Sequence, residues 1–167
     1  MKDLIFIGGA KGVGKSTVLE YLKKHVQIEV VNTGDLFTKS KQNGLNPEEA
    51  IKAYLIDVHN GMVDTHYAGG YSVGKFSRGL SRENLLRIAS VKSIDLILFD
   101  LDKKTLFKRR CGNKEEKYQD VNLIDLELKK SREYFRQYCE DLLISGLVID
   151  NIDLDRTMEL VLGRIYE

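Results

Sequence analysis

The stretch Gly9–Ser16 reads G-A-K-G-V-G-K-S and fits the pattern G-x-x-x-x-G-K-[ST] without a mismatch. It follows the apolar run Leu4–Ile7 and precedes apolar residues at helical spacing, so it occupies a turn between a strand and a helix. Glycines in such a turn let the backbone wrap closely around phosphates, and the helix N-terminus offers free N–H groups to them. A glycine turn before an unrelated helix is the alternative. The pattern favours a phosphate-binding P-loop.

Three side chains are expected to complete the chemistry of this loop. The Lys15 ammonium is placed to reach the β- and γ-phosphates of a nucleotide, and the Ser16 hydroxyl to ligate Mg²⁺. Asp64 follows Met62-Val63 at the end of a strand-like run, where a P-loop protein needs a carboxylate for the metal. A strand-end aspartate that caps a turn is the competing interpretation. We predict Ser16 and Asp64 as the metal-binding residues.

The composition is that of one compact domain, predicted to span residues 1–167. Hydrophobic residues make up 43% and charged residues 31%, which suits a packed core with a polar surface. A net charge of +1 predicts no general attraction to nucleic acid or membrane. No apolar run approaches the roughly 20 residues of a membrane span, and the N-terminal run is too short for a signal peptide. Two cysteines make no disulfide framework, so we expect a cytoplasmic protein with reduced thiols.

Strand-like and helix-like segments alternate, which is typical of a parallel sheet with right-handed crossovers. The predicted fold class is α/β: a three-layer P-loop NTPase fold with a five-stranded parallel sheet, helices on both faces and a small lid. The predicted strands are Leu4–Gly8, Gln27–Asn32, Gly61–Asp64, Ile94–Phe99 and Leu147–Ile149. The predicted helices are Lys15–His25, Asp35–Gln42, 47–59, Arg82–Ala89, 103–111, 124–142 and Leu154–Ile165. Ligands of such sheets bind at the carboxyl ends of the strands.

Two further aspartates end predicted strands. Asp35 follows the second strand beside the P-loop, where a carboxylate can orient or deprotonate an acceptor hydroxyl or help to hold Mg²⁺. A helix N-cap at Asp35 is the alternative. Asp100 ends the fourth strand and is followed by Asp102, which fits a helix cap. We predict a catalytic role for Asp35 and assign none to Asp100.

Basic residues concentrate around the aperiodic segment Asn113–Asn122, which is interpreted as a mobile loop. Phosphoryl transfer needs cations that close over the γ-phosphate, and arginines flank this segment on both sides. The four candidates are Arg109 and Arg110 before it, and Arg132 and Arg136 after it. At least one of them is predicted to contact phosphate. The alternative is that these basic residues form an ordinary solvent-exposed helix face.

The stretch Gly69–Lys75 resembles a second glycine loop, but it lacks the order G-x-G-x-x-G and a preceding strand. It is therefore predicted to be a flexible loop on the acceptor side. His66 lies just before it, where either acceptor contact or a structural role fits. His59 and His66 have no third ligand at a suitable spacing, so no histidine metal site is expected.

Three motifs resemble a known family. Gly9–Thr17, then V-N-T-G-D at Val31–Asp35, then V-D-T-H at Val63–His66, are similar to the small nucleoside monophosphate kinases, in particular the archaeal-type adenylate kinases. That family carries a P-loop ending in G-V-G-K-[ST]-T, an N-x-G-D at the second strand and a D-T-H at the third. The resemblance extends weakly through Ile94–Arg110 and the final strand and helix, and so covers most of the chain.

The resemblance implies phosphorylation of a small molecule, a nucleoside monophosphate, with ATP and Mg²⁺ as cofactors. It implies an acceptor region at about residues 34–82, a lid at about 109–122, and adenine beside Asn151-Ile152. The implied ATP-binding residues are Gly9, Gly12, Val13, Gly14, Lys15, Ser16 and Thr17. The implied acceptor-binding residues are Thr33, Asp35 and His66. With the arguments above, the catalytic candidates are Lys15, Asp35, Arg109, Arg110, Arg132 and Arg136.

Two departures from the family pattern leave the acceptor open. Family members carry an arginine in the helix after N-x-G-D, whereas Asn46–Asn60 has Lys52 as its single cation. The lid region is also poorer in arginine than in the family. The alternatives are a kinase for a sugar, a coenzyme precursor or a polynucleotide end, and a nucleotide-dependent switch without kinase turnover. No membrane partner is expected, nucleic acid is disfavoured, and oligomeric state stays open.

Overall fold

The computed structural model describes residues 2–72, 75–111 and 120–166. The strands are β1 (Leu4–Gly8), β2 (Glu29–Asn32), β3 (Gly61–Asp64), β4 (Ala68–Ser72), β5 (Lys75–Arg78), β6 (Ile94–Asp100) and β7 (Leu147–Asp150). The helices are α1 (Lys15–His25), α2 (Thr33–Gln42), α3 (Pro47–Asp57), α4 (Arg82–Ala89), α5 (Lys103–Cys111), α6 (Val121–Leu142) and α7 (Leu154–Tyr166).

Five strands form one parallel sheet in the order β2-β3-β1-β6-β7. The register pairs Asn32 with Asp64 on one side of the P-loop and Asp100 with Asp150 on the other. Polar side chains therefore line the carboxyl edge of the sheet. The predicted α/β fold, with a five-stranded parallel sheet between helices, is confirmed.

The two faces of the sheet are covered by different helices. Alternation along β1 sends Ile5 and Ile7 to one core and Leu4 and Phe6 to the other. The first core takes apolar residues from α1, α5 and α7, and the second takes them from α3 and α4. The 22-residue α6 serves both: Ile124 and Leu128 pack in the first core, and Phe135 and Tyr138 in the second.

The main difference from the predicted elements lies after β3. The stretch expected to be a flexible glycine loop is an antiparallel pair, β4 and β5, with Ala68 opposite Arg78. Its glycines and serines conceal the alternation by which a strand is recognised. Residues 73–74 and 112–119, which include most of the predicted lid, lie outside the described residues.

Two helix boundaries also carry information about the site. Helix α2 begins at Thr33, because the Asn32 side chain accepts a hydrogen bond from the Asp35 N–H and acts as the N-cap. The alternative that Asp35 itself caps this helix is therefore wrong. Helix α3 has the expected Asn46 cap followed by Pro47. Among the described residues, no helix combines the length and apolarity needed to cross a bilayer.

Candidate phosphate-binding site

The P-loop joins β1 to α1 in a conformation that only glycine adopts readily. Gly9, Gly12 and Gly14 have φ values of 149°, 84° and 98°. A Cβ on Gly9 would lie 2.3 Å from the Phe99 carbonyl oxygen, and one on Gly14 would lie 2.4 Å from Asn151 Nδ2. The glycines therefore permit both the turn and its close packing against β6 and the loop after β7.

Lys15 is folded back over the loop that it follows. Its Nζ donates to the Gly9 carbonyl at 2.9 Å and to the Ala10 carbonyl at 3.3 Å, and the residue is 7% exposed. Loss of hydration lowers the pKa of Lys15, while Asp64 and Glu127 oppose that shift. Lys15 thus contributes to the packing of the loop.

Asp64 ends β3 with two carboxylate oxygens in different situations. Oδ2 accepts a hydrogen bond from Asn32 Nδ2 at 3.1 Å, whereas Oδ1 is buried and has no partner among the described residues. Burial raises the pKa of Asp64, the Lys15 ammonium opposes that rise and the Asp35 carboxylate adds to it. A buried carboxylate oxygen without a donor is suited to a hard cation such as Mg²⁺. The exposed Ser16 is the second residue of α1, and it is the other metal ligand that the sequence predicts.

The acceptor-side candidates gather at the same edge. Asp35 is exposed in the first turn of α2, and its charge acts on Asp64. Thr33 Oγ1 donates to the Asp64 carbonyl at 3.0 Å, which ties the start of α2 to the end of β3. Thr33 therefore has a structural partner in addition to its predicted acceptor contact.

His66 faces the P-loop. Its Nδ1 lies 3.2 Å from the Gly9 carbonyl oxygen, a contact that requires the proton on Nδ1 and leaves Nε2 as an acceptor when the ring is neutral. Loss of hydration and the neighbouring Lys15 ammonium lower the pKa of His66 to about 4, although part of the residue is exposed. A Cβ on Gly79 would lie 2.1 Å from the His66 carbonyl oxygen, so the chain after β5 packs directly on this residue.

The four candidate arginines divide into two pairs. Arg109 donates to the carbonyls of Val13 at 3.2 Å and Asn151 at 2.8 Å, and Asn151 Nδ2 donates to the same Val13 carbonyl at 2.6 Å. Arg110 is 2% exposed and binds the Lys11 carbonyl and Glu127. Both guanidinium groups thus contact the backbone of the P-loop in this structure.

The second pair lies on α6. Arg132 is bound by both oxygens of Asp100, through Nε at 2.6 Å and Nη2 at 3.0 Å. Asp100 therefore has a partner that the sequence interpretation did not give it. Arg136 is exposed, and no hydrogen bond or ion pair is found for it within the described residues. The structure does not bring all four arginines to one point.

Glu127 is a site residue that the sequence interpretation missed. It is 1% exposed, and its Oε1 accepts from the Lys11 N–H at 2.9 Å. A signal was present, since Glu127 lies three residues after Ile124 and one before Leu128, next to the apolar face of a long helix. Asn151, expected beside adenine, is buried and also bonds Thr157 through Oδ1.

Comparisons with known proteins find relatives of this chain in sequence and in fold. A family model described as AAA domain matches residues 8–127. Adenylate kinases from Coxiella burnetii strains, among them RSA 493 / Nine Mile phase I, are 26% identical over 123 residues, which is 65% of this chain and 52% of the relative. The chain spans about half the length of the curated relatives that it matches.

Solved structures share the fold at low identity. The YorR protein from Bacillus subtilis, in complex with phosphorylated GDP, superposes with a TM-score of 0.70 at 18% identity, over 98% of this chain and 95% of that one. Shikimate kinase from Bacteroides thetaiotaomicron has a TM-score of 0.61 at 14% identity over the whole of both chains. A gluconokinase from Sinorhizobium meliloti has a TM-score of 0.60 at 13% identity, over 98% and 91%. The family match covers well over half of the chain, which therefore belongs to the AAA domain family and has the α/β fold of the P-loop kinases.

Proposed function

We propose that this chain is a phosphotransferase that moves the γ-phosphoryl group of ATP to a small acceptor. The observation that carries the proposal is the buried Asp64 Oδ1, which has no partner among the described residues and lies at the strand end beside the P-loop. That arrangement fits a metal–nucleotide complex. The kinase names of the similar proteins support the same class of reaction.

The nucleotide side uses the loop and the start of α1. The N–H groups of Gly12–Thr17 bind phosphate oxygens, and Gly9 gives the turn that leads into them. Lys15 stabilises the charge that develops on the bridging and γ-oxygens. Ser16 and Asp64 would hold Mg²⁺, which when bound neutralises charge on the phosphates.

The acceptor side uses the ends of β2 and β3. If the acceptor attacks through a hydroxyl, Asp35 accepts a hydrogen bond and then the proton from it. If a nucleoside monophosphate attacks through a phosphate oxygen, there is no proton to remove, and Asp35 orients the acceptor instead. His66 accepts a hydrogen bond at Nε2 from another donor group of the acceptor, because its Nδ1 faces the Gly9 carbonyl. Thr33 contacts the acceptor and holds the end of β3 through the Asp64 carbonyl. Arg132 or Arg136 meets the transferring phosphoryl group.

A nucleoside monophosphate, as in the archaeal-type adenylate kinases, is the first candidate acceptor. A hydroxyl compound without a phosphate is the second, and one observation favours it: Lys52, the single cation in α3, forms an ion pair with Glu49. A free cation on α3 would be expected if this helix gripped an acceptor phosphate. Identifying the compound that is phosphorylated distinguishes these two candidates.

A panel of acceptors incubated with Mg²⁺-ATP tests the proposal. The panel contains the nucleoside monophosphates, polyols and sugar acids, and oligonucleotides with free 5′ ends, and both ADP and phosphorylated product are measured. Lys15→Ala is the control, and it should lower transfer at least about 10²-fold, as losing one preorganised electrostatic contact does. Because Lys15 also packs against the loop, circular dichroism must show that the variant is folded. Equal turnover in wild type and folded variant, or nucleotide binding without transfer to any acceptor, would overturn the proposal.

A further inference from the structure

The P-loop is held from outside by side chains of two helices, α5 and α6. The Lys11 N–H donates to Glu127 Oε1 at 2.9 Å, and the Lys11 carbonyl accepts from Arg110 Nε at 2.8 Å and Nη2 at 2.6 Å. Arg110 Nη2 also donates to Glu127 Oε2 at 2.7 Å. One residue of the loop is thus fixed on both its donor and its acceptor side.

Fixing one carbonyl of a loop also orients the next N–H. In a trans peptide the C=O of one residue and the N–H of the next point in opposite directions, and the described residues contain no cis peptide bond. The Lys11 carbonyl points at Arg110, so the Gly12 N–H points away from it. Arg110 therefore determines the direction of a donor that it does not touch.

The carbonyl of Val13, two residues after Lys11, is held in the same way. The Val13 carbonyl accepts from Arg109 and from Asn151, so the Gly14 N–H is turned to the opposite side. The carbonyls of Lys11 and Val13 therefore point toward these partners, and the N–H groups of Gly12 and Gly14 point away from them. A set of donors that converge on one side is what an anion-binding loop requires.

Such restraint matters at Gly12, because among the described residues the hydrogen bonds of Lys15 Nζ reach only the Gly9 and Ala10 carbonyls. Gly12 has a φ of 84° and no side chain to limit it. The aliphatic stem of Arg110 packs on this residue: a Cβ on Gly12 would lie 3.5 Å from Arg110 Cγ. Arg110 and Glu127 are 2% and 1% exposed, and burying two ions is costly unless further hydrogen bonds satisfy them. The Lys11 peptide provides those hydrogen bonds.

We propose that Arg110 and Glu127 are positioning residues that hold the Lys11–Gly12 peptide, and with it the P-loop, in the phosphate-binding shape before nucleotide arrives. The inference rests on the proposed function for the identity of the ligand, a nucleotide phosphate. Arg110 then acts on the loop from the side opposite the phosphates and does not reach the transferring group. Preorganisation of this kind lowers the cost of binding.

Two conservative variants test the pair. Arg110→Lys keeps the charge but replaces the planar fork by a single ammonium, and Glu127→Gln keeps an acceptor oxygen for the Lys11 N–H but removes the negative charge. Arg164→Lys is the matched control, because Arg164 pairs with Asp95 near the opposite end of β6. For each protein we would measure the Kd for Mg²⁺-ADP by calorimetry, the melting temperature, and amide exchange of Gly12 and Gly14 by NMR without ligand.

Arg110→Lys should weaken Mg²⁺-ADP binding about tenfold or more, as loss of an outer-shell partner does at other sites, and should speed exchange at Gly12 more than at Gly14. Glu127→Gln should give a smaller change in the same direction, and Arg164→Lys none. Variants that melt earlier but keep wild-type Kd and exchange would show a merely structural pair and overturn the proposal. None of these measurements needs an acceptor, so they test the positioning role of Arg110 and Glu127 independently of phosphoryl transfer.

Discussion

At the scale of single residues, Asp64 has a raised pKa and one buried oxygen that finds no partner within residues 2–72, 75–111 and 120–166. Because burial disfavours its ionised form, Asp64→Asn should leave the ligand-free protein at least as stable as wild type near pH 7. An amide lacks the charge that a hard cation needs, so the Kd for Mg²⁺-ADP should rise at least about tenfold. Calorimetry with Mg²⁺ and with EDTA measures this difference.

Asp35→Asn is the companion variant, since Asp35 is an exposed carboxylate at the same edge. It should depress turnover more than nucleotide affinity if Asp35 receives the acceptor proton. Nucleotide affinity that falls in Asp35→Asn and stays normal in Asp64→Asn would reverse the two assignments.

The lowered pKa of His66 predicts the direction in which stability changes with pH. Its folded-state pKa is about 4, below the value near 6.5 of an unfolded chain, so the unfolded state binds more protons between these values. Stability from this group is complete above pH 6.5 and is lost as the pH falls toward 4. His66→Gln should therefore lose less stability than wild type between pH 7 and pH 5.

Melting temperatures across that pH range check the prediction. His59→Gln is the control, because His59 is exposed and precedes β3 at the other end of the sheet. A wild-type slope in His66→Gln would mean that the imidazole is hydrated and titrates normally.

At the scale of elements, two of the four candidate arginines lie on α5 and the other two lie on α6. The two on α5 bind the P-loop backbone, so the cation for the transferring phosphoryl group is expected on α6. Alanine at Arg132 or at Arg136 should lower turnover on the order of 10³-fold, the low end for transition-state arginines. Steady-state kinetics of both variants measure the effect. Lys129→Ala, which removes an exposed ion pair from the same helix, is the control. Wild-type turnover in all three variants would make these cations a solvated helix face.

The same two helices show where sequence interpretation reaches its limit. The charged residues of α5 are consistent with a surface helix, and nothing in their spacing distinguishes Arg110, which is buried, from Arg109, which is exposed. Burial of Arg110 depends on Glu127, 17 residues further along the chain. The long helix α6 itself was predictable, because its apolar residues repeat over several turns.

At the scale of the whole molecule, binding of nucleotide to the folded state alone should raise its melting temperature. With Mg²⁺-ADP at about 100 times its Kd the gain is about 2.7 kcal/mol, which for a domain of this size is roughly 5–10 °C. Differential scanning fluorimetry measures it, and Lys15→Ala and EDTA should each reduce it. No shift with Mg²⁺-ADP at any concentration would argue against a nucleotide site.

The five-stranded parallel sheet was predictable from the chain, because each strand is a short apolar run and each crossover contains a helix, but the order of its strands was not predicted. The positions of Ser16 and Asp64 at the carboxyl edge of the sheet were likewise predictable, since motif and strand end fix them, and their metal-binding role stays a prediction. The β4–β5 pair was not, because its glycines carry no alternation. Partners formed by distant segments, such as Asp100 with Arg132, depend on packing that local spacing does not determine.

Helix α6 crosses from one hydrophobic core to the other. Leu128 is part of the core that supports α1 and the P-loop, and Phe135 packs against Tyr67 next to the proposed acceptor side. A local opening on either face would displace this helix and remove packing from the other face. Folding cooperativity is therefore built into a single element, and the P-loop and the proposed acceptor side are expected to open and exchange their protected amides as one unit.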